Sequence, residues 1–133
     1  MKNTLIILAI ALCASCAANK AVTASGLQYR ILEKGSGTPA KAGDEVLIFE
    51  TTSYRNGTVL YSNYNAASPV KVLIGGNQAT AAVDEGLRGM RVGEVRELTA
   101  PPHLVKRKGY PPNVSPDSTL VIKIRLDKIV ATQ

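Results

Sequence analysis

Few side chains in this sequence could do covalent or metal chemistry. The two cysteines, Cys13 and Cys16, stand at C-x-x-C spacing, a pattern that can mark a redox pair or half a metal site. No second ligand pair accompanies them, and His103 is the single histidine. The redox and metal readings are therefore set aside, and no metal or cofactor is expected. Gly35-Ser36-Gly37 is glycine-rich, but no Lys-Ser/Thr follows and no helix opens there, so it does not read as a phosphate loop. His103 reads as a loop histidine. Lys106-Arg107-Lys108 is the one dense run of charge. The rest of the excess, +6 in total with a pI near 9.5, is spread along the chain. With one Phe, five Tyr and no Trp, the chain lacks the interleaving of basic and aromatic residues that nucleic-acid binders use. Nucleic acid is not an expected partner; the composition suits an exported soluble domain with a basic surface.

The cysteines make better sense as part of a targeting segment. Lys2 is a minimal positive start, and residues 5–12 form an eight-residue apolar run. That run is far short of the roughly 20 residues a membrane-spanning helix needs, and fits the core of a secretory signal. Small residues follow, and Cys16 after Ala14-Ser15 resembles the cysteine that becomes the lipidated first residue of bacterial lipoproteins. Cys13, where such signals usually have Leu, departs from the pattern, so cleavage after Ala17 or Ala18 stays open as the alternative. The expected layout is a lipoprotein signal over 1–15, a lipidated Cys16 with a flexible tether to residue 25, and one folded domain over 26–131. Ala18 after the cysteine, rather than Asp, resembles outer-membrane sorting. The expected place is the periplasmic cell envelope, anchored by lipid; the alternative is secretion.

The elements that must position any site are mostly strands. Residues 27–32, 45–54, 58–62, 69–74, 94–99 and 119–130 carry the Val, Ile, Thr and Tyr content or the period-two alternation of strands. In the second, Val46, Ile48 and Glu50 share one face. In the last, Leu120, Ile122, Ile124 and Leu126 do so. Asn56-Gly57 marks a hairpin, with a type I′ turn expected. A lone helical pattern interrupts the strands: Ala79, Ala82, Val83, Leu87 and Met90 fall on one side of a helix that Gly89 or Gly93 can end. Residues 101–118 form a long loop holding five of the seven prolines. A short helix among strands has to be the plug that the sheet wraps, because most helix stability comes from packing an apolar face.

The order of these pieces resembles the FKBP-type peptidyl-prolyl isomerase family. The resemblance is carried by Ser25-Gly26-Leu27-Gln28-Tyr29, Gly35-Ser36-Gly37, Gly43-Asp44-Glu45-Val46, Asn56-Gly57-Thr58, Glu85-Gly86-Leu87 with Met90 and Val92-Gly93, Pro101-Pro102, and Ser118-Thr119-Leu120-Val121. It implies an α+β fold, an antiparallel half-barrel sheet of five to six strands around one short helix. A ligand cup would lie between helix, sheet and the long loop. It also implies proline-containing segments of unfolded or exported proteins as partners, bound by a monomer.

In that family the cup is largely aromatic. At the matching positions this sequence has Val83 for the Trp of the helix, Ala79-Thr80 for the Val-Ile pair before it, Ile122 and Val70 for two strand aromatics, and Leu60-Tyr61 for the Phe-Asp pair after the hairpin. Glu50 takes the place of a barrel Tyr. Lys106 falls near the loop Tyr, with Tyr110 able to approach instead. Leu60, Val70, Val83, Leu104 and Ile122 would still make an apolar cup of weak isomerase activity; the alternative is a non-catalytic peptide-binding or chaperone-like lipoprotein. A phenol and a carboxylate persist with positions exchanged, so Tyr61 is expected to donate a hydrogen bond to Glu50, with Lys106 screening the charge.

Overall fold

The structure is a computed structural model that describes residues 20–132. The signal, Cys16 and the first part of the expected tether lie outside the described residues.

The longest strands carry the clearest alternation. β3 (Asp44–Tyr54) and β7 (Leu120–Thr132) pair antiparallel along their whole lengths and form the centre of the sheet. Leu120, Ile122, Ile124 and Leu126 of β7 are all buried, as are Val46 and Ile48 of β3. β6 (Val95–Ala100) lies on the other side of β7, and β2 (Gln28–Glu33) beyond it. On the far side, the edge of β3 is shared. β4 (Val59–Ser62) pairs with Thr51 to Ser53, and β5 (Val70–Leu73) with Glu45 to Ile48. A two-residue strand, β1 (Ala21–Val22), pairs with Tyr29 and Gln28 of β2. The sheet is thus antiparallel and seven-stranded, against the five to six expected. Residues 21–22 sit in the sheet, and Thr23 and Gly26 continue into a hydrogen-bonded turn.

The helix α1 (Ala81–Leu87) is one element among the described residues and is shorter than its apolar pattern suggests. Ala82, Val83 and Leu87 are buried, and Met90 is buried just past the helix end. Gly89, at φ +84°, turns the chain out of the helix, and its N–H donates to the Ala40 carbonyl. The helix lies directly on β6: a Cβ on Gly86 would sit 2.5 Å from Leu98 Cδ1. That contact explains why glycine occupies the last turn of so short a helix.

The hairpin after β3 forms, but not with the expected turn. Gly57 has φ +92°, whereas Asn77 is the one non-glycine residue with positive φ among those described, so Asn56 does not supply the second left-handed position of a type I′ turn. Asn56 instead accepts the Thr58 N–H through its side chain at 3.0 Å. The twist is taken up by a bulge: Thr52 pairs with Tyr61 and Ser53 with Val59, leaving Leu60 without a partner.

Candidate functional site

β3 runs its inward face from Val46 and Ile48 through Glu50 to Thr52. The first two are covered, but the sheet beside Glu50 is opened where β4 ends and β5 has not begun. Asn63 fills that gap. Its buried side chain accepts the Glu50 N–H at 2.6 Å and donates to the Ile48 carbonyl at 3.2 Å, while its own N–H donates to the Glu50 carbonyl at 3.1 Å. One side chain thus stands in for a missing stretch of strand and fixes the backbone of Glu50.

Above Glu50 is a cleft of about 510 Å³. Its apolar wall is Ile48, Val70, Val72, Ala79 and Val83; Thr80, Asn77 and Gln78 border it, and Lys106, Arg107, Lys108 and Gly109 of the long loop form a lip. No aromatic side chain lines it. Of the residues expected in a cup, Glu50, Val70, Ala79, Thr80, Val83 and Lys106 come together here. Leu104 and Ile122 are buried in the core instead, Leu60 packs against that core, and Tyr110 turns to its own loop, where its hydroxyl accepts the Arg107 N–H at 3.4 Å.

The floor of this cleft is polar and unsatisfied. Glu50 Oε2 is buried without a hydrogen-bond partner, as is the Thr80 hydroxyl at the start of α1. Burial pushes the Glu50 carboxyl above its ordinary range, and the Arg107 guanidinium partly offsets this. The expected Tyr61–Glu50 bond is not made. Tyr61 is opposite Thr52, on the face that Glu50 shares, but it is 45% exposed and gives Glu50 no hydrogen. The screening cation is Arg107 rather than Lys106. Glu50 is also not a surface residue of an ordinary sheet, since its neighbours on that face, Ile48 and Thr52, are buried.

Two features escaped the sequence reading. Arg107 and Lys108 join Lys106 on the lip; the unbroken basic run was the available signal. The other is Tyr54, whose hydroxyl donates to the Asn113 carbonyl at 2.7 Å and accepts the Ser115 N–H at 2.9 Å. It pins the far half of the long loop to the end of β3. His103 does hold a loop: its ring N–H donates to the Ser25 carbonyl at 2.8 Å. Ser25 Oγ bonds both oxygens of Glu85 at 2.9 and 2.7 Å and makes no bond to His103, so the three residues form a clasp and not a nucleophilic relay. Among the described residues no three His, Cys, Asp or Glu side chains gather as a metal site would require.

A half-wrapped antiparallel sheet with a helix on its concave side and a cleft between helix, sheet and loop defines the fold class. The family model for FKBP-type peptidyl-prolyl cis-trans isomerase matches residues 36–127. The chain belongs to that family. It is similar to FK506-binding protein 1A of Neurospora crassa (32% identity, 81% of this chain and 92% of that protein). It is also similar to FK506-binding protein 2 of Yarrowia lipolytica (37% identity, 77% and 75%). Against longer relatives such as the 39 kDa FK506-binding nuclear protein of Drosophila melanogaster (31% identity, 71% of this chain), it spans 27% of the length. Among solved structures, FkpA from Escherichia coli superposes with a TM-score of 0.73 at 26% identity, over 83% of this chain and 51% of that one. AtFKBP13 shares the fold, with a TM-score of 0.71.

Proposed function

We propose that the chain is a weak peptidyl-prolyl cis-trans isomerase that helps exported proteins fold. An X-Pro peptide bond rotates over a barrier of about 20 kcal/mol and takes tens of seconds or more. Twisting it removes amide resonance and makes the group less polar. An apolar pocket that fits the twisted bond better than the planar one lowers the barrier by differential binding, with no nucleophile or metal. Ile48, Val70, Val72 and Val83 supply such a wall. The single observation that carries the reading is this cleft, formed by helix, sheet and loop where the family's sequence pattern expects it, but walled by aliphatic side chains. Aromatic rings carry much of the binding energy of apolar sites, and their replacement supports reduced turnover.

The test is isomerisation of a proline tetrapeptide at high protein concentration. Acceleration that Val83→Asp abolishes is the expected result; no acceleration above buffer ends the enzymatic reading. The unsatisfied Glu50 in the floor favours one other reading, a non-catalytic peptide-binding or chaperone-like protein, which would bind the same peptides without accelerating them. For location, we propose a monomer anchored in the periplasmic envelope through lipid on Cys16. Fatty-acid labelling that Cys16→Ala removes is expected; unlabelled, freely soluble protein would leave secretion.

A further inference from the structure

Six of the described cations pair with a carboxylate, and among those that do not, three stand side by side. Arg30, Lys41, Lys71, Arg88, Arg96 and Arg125 each have a carboxylate within 3.2 Å. Lys106, Arg107 and Lys108 form no such pair, and all three are exposed. These three consecutive cations stand together on the lip of the cleft. The other charged residue on the cleft wall is Glu50, at the floor, and its influence reaches Arg107 without closing a salt bridge. The remaining wall is neutral. A peptide with its proline toward Val70 and Val83 would bring its flanking residues beside three exposed cations that close no salt bridge, in a concave site with low-dielectric walls. Such a site concentrates field lines and selects the opposite charge.

We propose that the lip of Lys106, Arg107 and Lys108 makes this cleft selective for proline segments with an acidic residue immediately before the proline. The proposal rests on the reading of the cleft as a proline-peptide site and names its preferred substrate class. Three like charges on one side also act against the wrong peptide: a Lys or Arg beside the proline would meet repulsion at the same place.

The experiment uses the full chain and three tetrapeptides that differ only before the proline, with Glu, Leu or Lys. Binding is read by NMR chemical-shift titration and turnover by exchange spectroscopy, each at low salt and at high salt. The expected order is Glu over Leu over Lys, with Glu about tenfold tighter than Lys at low salt and the gap closing at high salt, as screening of exposed charges requires. Reversing the lip with Lys106→Glu, Arg107→Glu and Lys108→Glu should invert the order. These side chains are exposed, so circular dichroism should show an unchanged fold. Equal affinity for all three peptides at low salt overturns the proposal while leaving the proline-peptide reading intact. Absence of binding by every peptide, Leu included, overturns both. If the reversal instead weakens attachment to phosphatidylglycerol vesicles and leaves the peptide order unchanged, the lip serves a membrane surface and the proposal fails.

Discussion

Glu50 is held in an unfavourable place, and its titration should show it. The carboxyl is buried, and its Oε2 has no partner. Its pKa is raised in the fold by desolvation, above the ordinary 4.5. A raised carboxyl binds its proton more tightly in the folded state than in the unfolded chain. Stability from this group is therefore complete below pH about 4.5 and falls as pH rises through the folded value. Glu50→Gln should raise stability at pH 7 by about 1 kcal/mol, with the gain vanishing near pH 4. Urea midpoints at the two pH values check this, and an equal gain at both would contradict it. Arg96 is the opposite case. Its guanidinium is buried against Glu94 at 2.7 Å, donates to the Gly86 and Arg88 carbonyls at the end of α1, and stacks 4.6 Å from the Tyr29 ring centre. Arg96→Leu would strand the buried Glu94 carboxylate and leave helix carbonyls unmet. A loss of about 3–5 kcal/mol is expected in the same measurement.

Among the elements, the long loop depends on one phenol. Tyr54 sits at the end of β3 and its hydroxyl serves both Asn113 and Ser115. Tyr54→Phe should cost about 1–2 kcal/mol and speed amide exchange in residues 111–118 while β3 and β7 stay protected. The difference between elements read from sequence and those missed has a physical cause. β3 and β7 announce themselves because each has a buried face, and period-two alternation follows from the pleat. The helix shows through Val83 and Leu87 for the same reason at its own period. β1 gives no such signal: two residues cannot carry a pattern, and its pairing is imposed by β2. The turn type after β3 was hidden because the bulge at Leu60 absorbs the twist, a choice made by strand packing and not by Asn56-Gly57. Side-chain reach across the cleft was hidden too. Tyr61 and Glu50 are on one face, as the pattern required, but facing the same side does not bring a hydroxyl within bonding distance. In the loop, sequence could mark the basic run yet not which member would act on Glu50, because irregular backbone sets that direction.

For the whole molecule, the question is whether an aromatic ring in this aliphatic cleft raises the proposed isomerase activity. The scaffold that would support it is present: helix on β6 through Gly86, loop held by Tyr54, backbone of Glu50 fixed by Asn63. Val83 is buried at the helix side of the cleft and faces about 510 Å³ of open space. Val83→Trp puts a large ring at that wall. An increase of about tenfold in kcat/KM for a Leu-Pro peptide is expected, equivalent to about 1.4 kcal/mol of added transition-state binding. Exchange spectroscopy on the variant and parent checks it. A variant that folds and binds more tightly without faster turnover would mean that the ring binds the planar and twisted peptide equally.

The divided edge of β3 has a consequence for the protein at high concentration. An eleven-residue strand could have been bordered by one long partner, whose outer side would offer a continuous row of free N–H and C=O groups to a neighbouring molecule. The border is instead split into two four-residue strands, with Asn63 plugging the interval by its side chain. Short, interrupted borders are poor templates for intermolecular strand addition. The opening that gives Glu50 its cleft therefore also guards this flank against aggregation.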